Sequence, residues 1–291
     1  LLVDEIIIEK DINSKDGTLE IDKTCIVKGS VLGGNIISTS DIIVHGTVMD
    51  SNLITSGGNI TIAQGIEGDA SNIEAFGDIR CNYCSGGNIT SKNGSVYVKN
   101  RVSNCTLVAK NLVHVKDGDG VIEKSTVEAG IEVISNLLGN EDKDPTYIIL
   151  SNQRQQELFE LILVYDQKLK DKKKRMTKLL KVIQIIKLLG EKISKLPPKK
   201  REELALQVKE YNQIKREIMQ TNEEKNKVIK RNNEIKMYTR AIIVNETVYP
   251  QVKIIIDKLE HSVVNKYKKV IFYKTGMIIM GDLDQFKLRQ R

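Results

Sequence analysis

The feature that most constrains the fold is an apolar repeat with a period near 18 residues in the first 135 residues. Three columns of apolar residues share this period, with steps of 16 to 20 residues. The first column contains Ile26, Ile42, Ile60, Ile79, Val96, Leu112 and Ile131. The second contains Val31, Val48, Ile66, Cys84, Val102 and Val121. The third contains Leu19, Ile36, Leu53, Ile73, Ile89, Leu107 and Val127. Such a repeat is typical of stacked structural units, each of which buries its apolar face against the next.

Gly, Asn, Asp and Ser separate the columns, as in Gly57-Gly58-Asn59 and Gly86-Gly87-Asn88. These residues supply the tight turns and positive φ angles that corners need. Aromatic residues are only 4% of the chain and Trp is absent, so Ile and Val must fill the core, and both favour strands. We therefore predict a right-handed parallel β-helix over residues 1–150, with three short strands per turn. The alternative is a β-sandwich with short strands, which does not require a period of 18 residues.

Residues 151–240 have a different pattern, which predicts helices. Between Leu158 and Ile183 the apolar residues follow 4-3-4 spacing, and a patchier stripe runs from Leu204 to Tyr238. Pro197-Pro198 interrupts the pattern, since proline removes an amide donor and restricts the residue before it. We predict an antiparallel coiled-coil hairpin of two helices of about 40 residues, each roughly 60 Å long at 1.5 Å per residue.

Residues 241–291 return to strand-like sequence, with apolar stretches at Ala241–Val244, Val248–Ile256 and His261–Tyr273. The simplest topology inserts the hairpin into the β-helix and uses these last strands to complete and cap it. A cap would cover the open edge of the last turn. The predicted fold is therefore mainly β with a long α insertion. The strand-like start at Leu1 also predicts that the chain is part of a longer protein.

The net charge of +7 is unevenly distributed along the chain. Residues 1–150 carry 12 basic and 21 acidic residues, whereas residues 151–240 carry 24 basic and 12 acidic residues. Two basic clusters in the hairpin are candidate partner-binding residues: Lys172, Lys173, Lys174 and Arg175 within the first helix, and Lys199, Lys200 and Arg201 beside the hairpin tip. The tip cluster is the better candidate, because exposed loop tips often carry contacts. The alternative is that these residues form solvated helix faces.

Known catalytic and cofactor motifs are absent from the sequence. The glycines do not form a phosphate-binding loop, and His45, His114 and His261 are isolated from one another. Asp117-Gly-Asp119-Gly lacks the later acidic ligand of a calcium loop and is predicted to be a turn. We predict no catalytic residues, no cofactor and no metal site. No run of 18 apolar residues occurs, so no membrane span is predicted either.

All four cysteines, Cys25, Cys81, Cys84 and Cys105, lie in the first half of the chain. Cys81 and Cys84 have C-x-x-C spacing, but no second pair follows that would complete four tetrahedral zinc ligands. We interpret the four as small buried residues of a reduced protein.

The order of these segments resembles the flagellar assembly protein A family. The resemblance rests on the turn starts Gly58-Asn59-Ile60, Gly77-Asp78-Ile79 and Gly87-Asn88-Ile89, on the Lys/Glu-rich hairpin, and on Val248-Tyr249-Pro250. It covers nearly the whole chain, although the family's N-terminal domain has no counterpart here. The family usually has Gly after that Pro, whereas this chain has Gln251, a departure that concerns the local turn and not the fold.

The resemblance implies a non-enzymatic, cytoplasmic protein of polar flagellum assembly or its regulation. It further implies a location at the cell pole and a protein partner, either a polar flagellar protein or a sugar phosphotransferase component of the IIA type. Similar β-helices in MinC and bactofilins imply homo-oligomers or self-assembly as an alternative. Nucleic-acid binding by the basic hairpin is the other alternative, and the scarcity of aromatic residues argues against single-strand stacking.

Overall fold

The computed structural model describes residues 5–151, 153–237 and 240–289. The strands are β1 (Glu5–Ile8), β2 (Ile12–Asn13), β3 (Thr18–Ile21), β4 (Thr24–Val27), β5 (Val31–Leu32), β6 (Asn35–Ser38), β7 (Ile42–Val44), β8 (Val48–Met49), β9 (Asn52–Thr55), β10 (Ile60–Ile62), β11 (Gly65–Glu67), β12 (Asn72–Ala75), β13 (Ile79–Ser85), β14 (Asn88–Ser91), β15 (Val96–Ser103), β16 (Thr106–Ala109), β17 (Leu112–Val115), β18 (Val121–Glu123), β19 (Thr126–Ala129), β20 (Glu132–Leu138), β21 (Thr146–Leu150), β22 (Ala241–Val248), β23 (Val252–Ile256), β24 (Leu259–Ser262), β25 (Tyr267–Lys274) and β26 (Ile278–Asp282). The helices are α1 (Gln153–Leu189), α2 (Pro198–Met237) and α3 (Leu283–Arg289).

The strands form a β-solenoid of about 8 turns, which confirms the predicted β-helix with a helical insertion. A typical turn consists of three strands, such as β4, β5 and β6, and each strand pairs in parallel with its equivalent one turn later. The first two strands of each turn belong to one sheet of 16 strands, and the third belongs to a sheet of 10 strands. The handedness of the coil stays a prediction.

The core is a set of inward-facing columns, and the strand register corrects some of the predicted members. The third column is confirmed at every position from Leu19 to Val127. The first column was wrong at three positions, where the register places Cys25, Val113 and Val133 instead of Ile26, Leu112 and Ile131. In the second column, Ile122 takes the place of Val121. The errors arose because apolar residues stand next to one another along the chain at these positions, as Cys25 and Ile26 or Leu112 and Val113 do.

A ladder of side chains at one corner explains two of the repeats, Gly58-Asn59-Ile60 and Gly77-Asp78-Ile79. The backbone N–H of Asn59 donates to Asp41 Oδ1 at 2.7 Å, and that of Asp78 donates to Asn59 Oδ1 at 2.8 Å. The next N–H, of Ser95, donates to Asp78 Oδ1 at 2.9 Å. Each side chain therefore binds a corner amide of the following turn, which satisfies a donor that the strand ladders leave unpaired.

The strands after residue 240 first continue the solenoid and then reverse its direction. β22 pairs in parallel with β20, and β23 pairs in parallel with β21. β24, β25 and β26 then pair antiparallel with β23, β22 and β25 respectively. The helix α3, which the sequence pattern did not predict, packs Leu283 and Phe286 against this last sheet. These strands complete the last turn and cover both of its sheets with antiparallel partners.

Backbone contacts divide the chain into two compact units, Leu1–Asn152 with Thr239–Arg291, and Gln153–Tyr238. In the second unit, α1 and α2 pack together, and cross-helix ion pairs define their direction. Asp166 on α1 pairs with Lys225 on α2, whereas Arg175, further along α1, pairs with the earlier residue Glu210. The helices are therefore antiparallel, as predicted. Tyr238, the last residue of the predicted second stripe, lies outside the described residues.

The interface between the helices is narrow and differs in part from the predicted stripes. Its most buried apolar residues are Leu169 and Leu179 on α1 and Ile214 and Val228 on α2. Of these, only Leu169 belongs to a predicted stripe. The buried α2 positions, which also include Thr221 and Asn232, are spaced seven, seven and four residues apart. This spacing follows the heptad repeat of a coiled coil.

Candidate functional site: the tip of the helical hairpin

The predicted basic cluster within α1 is partly engaged by α2. Lys172 Nζ lies 3.0 Å from a carboxylate oxygen of Glu217. Arg175 donates through Nε and an Nη to both carboxylate oxygens of Glu210, at 2.8 and 3.1 Å. The hydrogen bond from Lys172, helped by one from Gln213, lowers the pKa of Glu217. These two cations therefore bridge the helices, while the side chains of Lys173 and Lys174 are exposed.

The second basic cluster lies in the first turn of α2 and is exposed. The helix begins at Pro198, so Lys199, Lys200 and Arg201 follow at once. Among the side chains that the structure describes, none forms an ion pair with these three. The first turn contains no acidic residue, although positive charge is unfavourable at a helix N-terminus. Each of these charges costs roughly a few tenths of a kcal/mol at this position. Because an anionic partner would offset that cost, the cluster is a candidate for contact with one.

The hairpin does not bring the two basic clusters together. Glu210, the partner of Arg175, lies nine residues beyond Arg201 on α2. At 1.5 Å per residue this corresponds to roughly 14 Å along the helix. The clusters are therefore separate features, one between the helices and one at the turn that joins them.

The tip also exposes apolar side chains, which the charge pattern of the sequence does not indicate. The exposed fraction is 87% for Leu188 and 53% for Ile185, both in the last part of α1. A short 3₁₀ helix, Gly190–Lys195, then leads towards α2, and Gly190 takes the left-handed conformation at φ 49°. The sequence does indicate these exposed apolar residues, because Ile185 and Leu188 are three residues apart and lie beyond the 4-3-4 stripe, which ends at Ile183.

A shallow groove adjoins the tip on α2. It has a volume of about 750 Å³ and extends from Ala205 to Gln220, with the cations of Lys209 and Arg216 in its lining. Leu206, 61% exposed, lies at the same end of the helix. We define the hairpin tip as Ile185–Leu188 together with Lys199–Leu206. The exposed cations and exposed leucines of these two segments suit a partner surface that combines carboxylates with apolar groups.

Two other kinds of site receive no support from the described parts of the chain. No group of three or more His, Cys, Asp or Glu is placed to hold a metal ion within residues 5–151, 153–237 and 240–289. Among the described helices, none is long and apolar enough to cross a membrane.

Comparison with known protein families gives one match, to the Flagellar Assembly Protein A β-solenoid domain, over residues 4–279. The match covers the solenoid and the helical hairpin together. The chain belongs to the Flagellar Assembly Protein A family. No curated protein and no solved structure is significantly similar to the chain.

Membership of the Flagellar Assembly Protein A family implies a role related to flagellar assembly. The family is not a known family of enzymes. Gln251, the residue after Pro250, adopts φ 67°, in the left-handed region that favours glycine. Gln251 therefore occupies this turn in a conformation that a glycine adopts without strain.

Proposed function

We propose that this chain is a non-enzymatic scaffold of polar flagellum assembly or its regulation, and that the hairpin tip binds its protein partner. The observation that carries the proposal is the composition of the tip, where Leu188 at the end of α1 is 87% exposed and Lys199, Lys200 and Arg201 at the start of α2 are exposed as well. A leucine side chain with this exposure makes little contact within the hairpin and so adds little to its stability. A protein partner can bury it.

The arrangement of the solenoid supports a scaffold. Its inward columns are filled by Ile, Val and Leu, and its corner side chains bind the amides of the next turn. Side chains used in this way hold the turns together, so the solenoid can present the hairpin and its own faces to other proteins. We place the protein in the cytoplasm at the cell pole, where polar flagella are assembled.

The partner we propose is a protein with an acidic and apolar surface. A IIA component of a sugar phosphotransferase system and a polar flagellar protein are the two candidates that the family resemblance offers. The charge of the hairpin residues, 24 basic against 12 acidic, would accelerate association with an acidic partner at low salt. A homo-oligomer through the solenoid faces is compatible with this binding, since it uses a different surface.

The test compares a tip variant with a matched control in cells of the native host. The tip variant carries Leu188→Ser, Lys199→Glu and Lys200→Glu. The control carries the same three changes elsewhere in the hairpin, as Leu163→Ser, Lys173→Glu and Lys174→Glu, all at exposed positions. Co-purified proteins are quantified by mass spectrometry, and swimming motility is measured for each strain.

We expect the tip variant to lose its main partner and to impair motility, whereas the control retains both. Equal retention in the two variants would contradict the role of the tip. If deletion of residues 151–240 also left motility and flagella normal, the proposed function itself would be wrong.

Nucleic-acid binding by the hairpin is tested with the wild-type chain. It would require affinity for DNA or RNA that falls steeply with salt concentration. Two of the central cations, Lys172 and Arg175, are paired with carboxylates and would have to leave them to bind phosphates. We therefore expect no salt-dependent binding of DNA or RNA by the wild-type chain.

A further inference from the structure

Three of the four cysteines form a cluster inside the solenoid. Cys81 Sγ and Cys84 Sγ are 3.3 Å apart, and Cys84 shares a hydrogen bond with Cys105. All three are buried, with exposed fractions of 8%, 1% and 3% respectively, and all are free thiols. The burial that the sequence predicted is confirmed, but the proximity of the sulfurs was not predicted.

The short distance between Cys81 and Cys84 results from an unusually tight corner. In an extended strand, residues i and i+3 face opposite sides, so their side chains cannot meet. Here β13 bends at Asn82, where its pairing with β15 shifts register, and both cysteines face inward. The neighbouring turns use one more residue for this corner, between Ile62 and Ile66 and between Val98 and Val102.

Contacts to both neighbouring turns hold this corner in place. The N–H of Asn82 donates to Gln64 O at 2.8 Å, and its Oδ1 accepts from Asn100 Nδ2 at 2.7 Å. The Tyr83 ring occupies the space where Gly65 lacks a Cβ, and its hydroxyl donates to Glu67. The two sulfurs are therefore held close together by the fold.

Cys105 has a different role from the other two. It precedes β16 at a corner position that Ser51, Ser71 and Ser125 occupy in other turns. Ser51 and Ser125 donate to the carbonyl two residues before them, at 2.6 and 2.7 Å. Cys105 Sγ makes the equivalent contact with Ser103 O at 3.1 Å. Cys105 thus substitutes for a corner hydroxyl, whereas Cys81 and Cys84 stand in apolar columns.

Of the three clustered cysteines, Cys81 is the one that adjoins a surface pocket in the lining that the structure describes. This residue lines a surface pocket of about 330 Å³ together with Thr61, Gln64, Arg80, Asn82 and Lys99. A small oxidant can enter a pocket of this size. Cys84, by contrast, is 1% exposed and is not part of the lining that the structure describes.

We propose that Cys81 and Cys84 are a redox-modification site, at which hydrogen peroxide converts the two thiols into an intramolecular disulfide. The Cys81 sulfur attacks one peroxide oxygen, which gives a sulfenic acid and releases water after proton transfer. The Cys84 sulfur then displaces the hydroxyl group, and the Cys84 proton leaves with it as a second water. Two thiols and one peroxide thus yield one disulfide and two waters. Bond formation requires the sulfurs to approach by only about 1.3 Å, to the 2.05 Å of a disulfide.

The position of the two residues supports this order of events, since Cys81 adjoins the surface pocket whereas Cys84 is 1% exposed. Hydrogen bonds with Cys105 and Cys81, together with burial, raise the pKa of Cys84 well above its ordinary value. The hydrogen bond with Cys84 lowers the pKa of Cys105. Because the second step also proceeds through a thiolate, Cys84 has to pass its proton to the departing hydroxyl group as the disulfide forms.

The test is peroxide treatment of the folded full chain, followed by denaturation, alkylation and tryptic mapping. Trypsin releases Cys81 and Cys84 in one peptide, Cys81–Lys92, Cys105 in Val102–Lys110, and Cys25 in Thr24–Lys28. Cys25 is a built-in control, because it is 0% exposed and burial raises its pKa to about 11.

We expect the Cys81–Lys92 peptide to lose two hydrogen atoms and to carry no alkyl group, while the other two peptides are fully alkylated. Dithiothreitol should restore both thiols. Full alkylation of Cys81–Lys92, or a cross-link between that peptide and Val102–Lys110, would overturn the proposal.

Three variants are designed to keep the fold, so that a negative result is not caused by misfolding. Cys84→Val and Cys81→Val introduce the residue type that the next turn carries, at Val102 and Val98. In Cys84→Val, dimedone should trap a sulfenic acid on Cys81, and in Cys81→Val no modification should occur. Cys105→Ser restores the hydroxyl of its column and should form the Cys81–Cys84 disulfide as the wild type does. Loss of the disulfide in folded Cys105→Ser would contradict the assignment.

Discussion

Replacement of Gln251 by Gly should stabilise the solenoid. Gln251 has φ 67°, its side chain is exposed, and its N–H donates to Val263 O at 3.0 Å. The left-handed conformation costs a residue with a Cβ about 1–2 kcal/mol, whereas Gly adopts it freely. Gly also gives the unfolded chain more conformational freedom, which offsets about 0.5–1 kcal/mol of the strain energy that the substitution relieves. The net expectation for Gln251→Gly is a gain of about 0.5–1 kcal/mol in the free energy of unfolding.

Urea and thermal unfolding of the full chain, followed by circular dichroism of the β signal, measure this gain. A gain of 0.5–1 kcal/mol corresponds to a rise in Tm of about 1–4 °C for a domain of this size. The control is Gln251→Ala, which removes the side chain but keeps the Cβ, and it should change stability by less than about 0.5 kcal/mol. A Gly variant no more stable than the Ala variant would refute the strain argument.

Two further predictions test the core columns and the corner ladder by the same unfolding measurements. Ile89→Ala, at a fully buried inward position, should lose about 2–5 kcal/mol, whereas Thr90→Ala, on the outer face of the same strand, should lose under about 0.5 kcal/mol. Equal losses would contradict the assigned faces. Asp41→Ala removes the acceptor for the Asn59 amide and should cost about 1 kcal/mol, while Asp41→Asn keeps an oxygen acceptor and should cost less. If the Asn variant lost as much as the Ala variant, the ladder would not contribute as an acceptor.

The sequence alone predicted the third column throughout because an asparagine, at Asn35, Asn52, Asn72 or Asn88, marks the strand start in four consecutive turns. Those polar residues set the phase of the alternation, so the next residue had to face inward. In β4 the residues Cys25, Ile26 and Val27 are all apolar, and nothing in their order marks the inward face. Only the pairing with β7 decides it.

The candidate site was predictable in position but not in detail. The proline pair located the turn between the helices, and the charge pattern located Lys199–Arg201. Which cations pair across the hairpin depends on the register of α1 against α2. The patchy α2 stripe did not define that register, so the engagement of Lys172 and Arg175 could not be foreseen. The three-thiol cluster likewise depends on a corner shortened by one residue.

Site-specific photocrosslinking tests most directly whether the hairpin tip is the partner contact of this Flagellar Assembly Protein A family member. A photoreactive amino acid replaces Leu188 in the full chain, expressed in the native host, and a second strain carries it at Leu163, which is also exposed. The account predicts a covalent adduct with one identifiable protein from position 188 and none with that protein from position 163. No adduct from position 188 in motile cells, or the same adduct from both positions, would contradict it.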